Sequence, residues 1–142
     1  MAAATSDRPG IMERWTHHLF VLAAGNKAIA GTAAGIDPTS GRVVPMDDAS
    51  ADLLYIGIFD ETIDATGGER KVNVNLGMEI EVRRWANDTG SPVAADDVGS
   101  ICNFIDNQTV SMAAGPVAGR VWDVDAALGV AVQKLPFVYT GP

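Results

Sequence analysis

From residue 70 to residue 85 apolar and polar side chains alternate almost without interruption. Val72, Val74, Leu76, Met78, Ile80 and Val82 share one parity, and Lys71, Asn73, Asn75, Gly77, Glu79, Glu81 and Arg83 the other. A helix would scatter these apolar groups around its circumference, whereas a strand gathers them on one face. The stretch therefore predicts β-structure with one buried and one wet face. Gly77 offers no side chain to pack, so a bend, bulge or break is expected there.

The rest of the chain supports the same class. Its 15 glycines and 7 prolines recur at short intervals, and the Val- and Ile-rich segments between them are mostly too short for helices. Further strands are expected over residues 16–23, 42–45, 53–60, 100–106, 109–112, 119–125 and 129–135. Turn chemistry bounds them: Asp37-Pro38-Thr39-Ser40-Gly41, Asn87-Asp88-Thr89-Gly90 and Asp106-Asn107. Only residues 47–54, with Asp47 or Asp48 as a cap, suggest a helical turn. Residues 30–36 and 94–98 read as small-residue spacers. The expected fold is mainly β: a small β-barrel or β-sandwich with short turns and at most one short helix. Residues 15–142 form a single β domain, preceded by a flexible N-terminal arm over residues 1–14, which holds few apolar groups to fix it to a core.

Composition narrows the function classes. A chain of 142 residues can bury about two-thirds of its unfolded surface without disulfides, and a single cysteine, Cys102, cannot form an internal one. With 10 basic and 18 acidic residues the net charge is −8, and the only adjacent basic pairs are Arg70-Lys71 and Arg83-Arg84. No nucleic-acid partner is expected. No apolar run approaches a membrane span, and the N-terminal sequence lacks a signal-peptide pattern, so no membrane partner is expected either.

Groups that could carry chemistry are few. His17 and His18 are adjacent, so on a strand they point to opposite faces and cannot jointly hold one metal ion. Cys102, between Ile101 and Phe104, has the setting of a small buried hydrophobe. Glu79 and Glu81 share a strand face in the geometry of a carboxylate pair, yet Lys71 and Arg83 can neutralise them on a solvated face. Asp123 and Asp125 sit where a turn or cap would use them. Phosphate-binding glycine motifs are missing from the sequence. No catalytic residue, cofactor or metal is assigned.

The C-terminal third carries a pattern. Phe104-Ile105-Asp106-Asn107-Gln108-Thr109-Val110, then Val117-Ala118-Gly119-Arg120-Val121-Trp122-Asp123-Val124-Asp125, then Gly129-Val130-Ala131-Val132 resembles the capsid cement, or head decoration, proteins of tailed bacteriophages. Those proteins carry a "D-D-Q-T-V" strand pair, an "A-G-x-V-x-x-V-D" strand and a closing "G-V-x-V" strand; Asn107 stands where they have a second Asp. Ala23-Ala24-Gly25, Gly41-Arg42-Val43-Val44-Pro45-Met46 and Leu54-Tyr55-Ile56-Gly57-Ile58 extend the likeness over residues 19–135.

The resemblance implies a β-tulip-like fold and a structural virion protein on the outer surface of the capsid, made in the host cytoplasm. It would bind at junctions between subunits of the major capsid protein, commonly as a homotrimer, and stabilise the shell without catalysis. Open strand edges or loops would cover the seams, and the arm would order on binding. Arg8, Met12 and Arg14 in the arm, Trp15 and His17 after it, and Phe137 and Tyr139 in the C-terminal tail are the candidate capsid or self-contacts. Trp85 and Trp122 belong either to the core or to that interface. Two other classes compete: a carbohydrate- or receptor-binding module using exposed Trp15, Trp85 or Trp122, and a small β-barrel hydrolase using His17 or His18 with a carboxylate such as Asp60 or Glu79.

Overall fold

The computed structural model describes residues 15–77 and 81–135. The chain is mainly β, and its strands form two closed five-stranded barrels. The first contains β1 (His17–Leu22), β3 (Ala33–Ile36), β4 (Val43–Pro45), β5 (Leu54–Phe59) and β7 (Arg70–Asn75), in the order β1-β4-β3-β5-β7. The second contains β8 (Val82–Asn87), β9 (Ile101–Phe104), β10 (Thr109–Ser111), β11 (Val117–Asp125) and β12 (Gly129–Gln133), in the order β10-β8-β12-β11-β9. A two-stranded ribbon of β2 (Lys27–Ala28) and β6 (Ile63–Asp64) accompanies the first barrel.

The period-two stretch divides at the expected place. β7 ends at Asn75, and Gly77 adopts φ +76, a left-handed conformation that favours glycine. After the break the chain enters the other barrel, and the parity of burial reverses. Val72 and Val74 are fully buried, whereas Val82 is 48% exposed and Trp85 turns inward. The expectation of one apolar face running through to Val82 is thereby corrected: each half of the stretch serves a different core.

The two barrels are joined by burial. Leu22, Val43, Ile56, Phe59, Val72 and Val74 fill the first. Trp85, Phe104, Val110, Val121, Val130 and Val132 fill the second, and they pack in one cluster with Ala33, Met46, Leu53, Tyr55 and Ile58. Strands β3, β4 and β5 are therefore used on both sides, which is why β5 reads as the near-continuous apolar run LYIGIF. Tyr55 meets Phe104 edge-on at 5.0 Å between ring centroids, and Phe104 meets Trp85 at 5.1 Å. Hydrogen bonds reinforce the junction: the Ala33 N–H donates to the Asn107 carbonyl at 2.8 Å, and the Lys134 ammonium donates to the carbonyls of Ile56, at 3.0 Å, and Leu76.

Three further expectations change. Residues 47–54 form turns, with the Asp47 carboxylate accepting the Ala49 N–H; the one helical element among the described residues is a 3-10 turn at Ala95–Asp97, where Asp97 accepts the Ala94 N–H. Residues 30–36 contain β3, a strand between β4 and β5 rather than a spacer. Both barrels close, so their strands offer no open edge, and covering a seam falls to faces and loops. Phe104→Ala should cost about 3–5 kcal/mol, read as a lower denaturant midpoint in equilibrium unfolding; a loss under ~1 kcal/mol would contradict its place in the joint core.

Candidate interaction surface

Cross-strand register places the outward side chains of the second barrel in rows. Val82, Gln133, Arg120 and Ile101 occupy one row across β8, β12, β11 and β9. Arg84, Ala131 and Asp123 occupy the next. Between Val121 and Asp123 the register slips, and this irregularity leaves Trp122 on the outside, 56% exposed, while Val121 stays buried. The Trp122 indole N–H donates to Gln133 Oε1 at 2.8 Å, which fixes the ring against β12. Arg84 reaches over Ala131 to Asp123 at 2.7 Å, and Arg120 donates to the Gly99 carbonyl. With Val98 and Val117 also exposed, this is a sheet face of apolar groups around one indole and two guanidinium groups.

At the start of the first barrel, Trp15 is exposed and stacks on His18 at 4.2 Å, with His18 edge-on to Phe20 at 4.6 Å. His17 points elsewhere. Its Nε2 lies 3.1 Å from Asp60 Oδ2 and its Nδ1 lies 3.0 Å from the Thr16 hydroxyl, both at the surface. Hydroxyl, imidazole and carboxylate are thus in line, with the imidazole exposed rather than enclosed.

Of the sequence-predicted contacts, Trp15, His17 and Trp122 are on the surface, on different barrels. Trp85 is 6% exposed and belongs to the core, so it is withdrawn from the contact set and as an exposed sugar platform. Arg8, Met12, Arg14, Phe137 and Tyr139 lie outside the described residues, as does Glu79. Glu81 is not on a solvated face: its side chain is 16% exposed and it pairs with Arg83. Cys102 is fully buried, and burial pushes its thiol up to about 11, away from nucleophilic use. Among the described residues no three His, Cys, Asp or Glu side chains converge as a metal site.

The aspartates are mostly turn-makers. The Thr39 hydroxyl and N–H hold Asp37 below the usual carboxylate range, and those of Thr66 do the same for Asp64. Asp88 is held low by the N–H groups of Gly90 and Ser91 and by the hydroxyl of the buried Ser111, and Asp125 by those of Leu128 and Ala127. The turn role expected for Asp125 is observed, while Asp123 takes its ion pair instead. Burial lowers the Lys134 ammonium, the charge that ties the end of β12 to the first barrel.

Sequence reasoning missed Arg120, Gln133, Val82 and Ile101 as members of one face. Their common feature is register, and a register between strands 30 residues apart in the chain leaves no local signature. Comparisons with protein-family models, with curated proteins and with solved structures return no match.

Because Asp37, Asp64, Asp88 and Asp125 titrate lower folded than their ordinary 3.8, they add stability that is complete above that value. It is lost as pH falls through their folded values. The thermal midpoint should therefore drop below about pH 4, and Asp88→Asn with Asp125→Asn should flatten that drop; an unchanged slope would contradict the assignment.

Proposed function

We propose that this chain is a structural virion protein that binds the outer surface of an assembled phage capsid at junctions between major capsid protein subunits. It acts as a homotrimer, strengthens the shell, and performs no catalysis. The observation that carries the reading is the Trp122 face: an exposed apolar sheet surface on a protein whose two barrels are packed solid and whose aspartates are largely committed to turns and ion pairs. Surfaces of that composition serve protein contact. Weak contacts by each subunit add up when several are docked together.

His17, set between Thr16 and Asp60, favours a second reading, a hydrolase with Thr16 as nucleophile and His17 as base. It requires turnover of an ester probe that disappears in His17→Ala.

The deciding experiment is co-sedimentation of the purified chain with undecorated capsids, comparing expanded with unexpanded shells. Saturable binding at a fixed low-integer ratio to expanded shells is expected, weakened when residues 1–14 are removed. Absence of binding to either shell would reject the capsid role, and unchanged affinity after truncation would reject a role for the arm.

A further inference from the structure

We infer that the outer face of β8, β12, β11 and β9, centred on Trp122, is the surface by which one copy of this chain holds a second copy. The inference rests on the self-association part of the function proposed above and is independent of the capsid part.

Three observations carry it. First, the face is continuous. Val82, Gln133, Arg120 and Ile101 are cross-strand neighbours, and Trp122 is hydrogen-bonded to Gln133 within the same row. At roughly 4.8 Å between strands, four strands make a platform about 15 Å wide. Second, its central aromatic group is presented at little entropic cost. Trp122 is 56% exposed yet oriented by its indole N–H, and an ordered indole bordered by Arg is the kind of group that dominates protein interfaces.

Third, the charge of the face selects its partner. The row contains no carboxylate, and the nearest one, Asp123, is already joined to Arg84. Arg120 is the row's single charge, and among the described residues its side chain pairs with no acid, donating instead to the Gly99 carbonyl. An apolar face with one uncompensated cation complements an acidic surface. This chain is itself acidic, with 18 acids against 10 bases, so the remainder of a second copy meets that requirement. A face of one kind against a surface of another is a head-to-tail contact, which closes into a ring when the rotation allows.

Sedimentation velocity of the full chain over a concentration series tests the inference. The wild type should associate reversibly. Trp122→Ala should raise the dissociation constant about tenfold or more, and Arg120→Glu should weaken association while Arg120→Lys retains it. Ile29→Ser, an exposed apolar group of the first barrel, should leave it unchanged. Far-UV circular dichroism identical to wild type would show that the variants fold. A wild type that stays monomeric overturns both self-association and the assignment of this face. Association that is unchanged in Trp122→Ala and Arg120→Glu overturns the face alone. A monomeric wild type whose Trp122→Ala variant loses capsid co-sedimentation would assign the face to the shell instead.

Discussion

The contact of Tyr55 with Phe104 and of Phe104 with Trp85 is the interaction on which the architecture depends. Tyr55 belongs to the first barrel and the other two rings to the second, so burying them fixes how the barrels sit together. That burial makes demands on the backbone. β5 must present Tyr55 and Ile58 to one core and Ile56 and Phe59 to the other. Gly57 lies between them with its backbone so close to Asn75 of β7 that any Cβ would collide with the Asn75 carbonyl. The chain then leaves β7, turns at Gly77 and supplies β8 to the second barrel. Lys134 returns from the end of β12 to the carbonyls of Ile56 and Leu76, beside the Glu81–Arg83 pair. A buried Tyr55 hydroxyl, held neutral well above the ordinary phenol range, suits this junction.

Packing both barrels with side chains moves any function to the outside. Small barrels of this strand number hold side chains rather than ligands. The polar groups that might have formed a site are instead spent on shape: Asp37, Asp64, Asp88 and Asp125 close turns, and Asn87 bonds both the N–H and the carbonyl of Val93. What is left on the surface is the Trp122 face on one barrel and the Thr16, His17 and Asp60 line on the other. The first is extended and largely apolar, as protein contacts are. The second is small and open to water, which weakens the electrostatic assistance that catalysis draws from an enclosed site.

How far the sequence revealed this differs by element. β1, β7, β11 and β12 were legible because each has alternation or β-branched runs long enough to select a strand. β3 was not, because Ala33-Ala34-Gly35-Ile36 is small for a packing reason: Gly35 lies against the sulfur of Met46, and both faces of the strand are covered. Small residues demanded by close packing resemble a flexible spacer. The parity reversal after Gly77 was equally hidden, since alternation states that a face exists but not which core receives it. Of the surface groups, Trp122 could be named from composition and context, but its separation from Trp85 could not. One lies outward at a register slip between β11 and β12 and the other inward on β8, and both follow apolar or basic neighbours in the sequence. The pairing of His17 with Asp60, 43 positions apart, needed the fold to bring β1 beside the end of β5.

The most direct test of a joint core is whether the two barrels unfold together. Trp85 fluorescence reports the second barrel, and amide hydrogen exchange along β1 and β7 reports the first. In a denaturant series a single coincident transition is predicted, with the same midpoint from both probes. Two separated transitions, the first barrel persisting after Trp85 is exposed or the reverse, would contradict a core shared through Tyr55, Trp85 and Phe104.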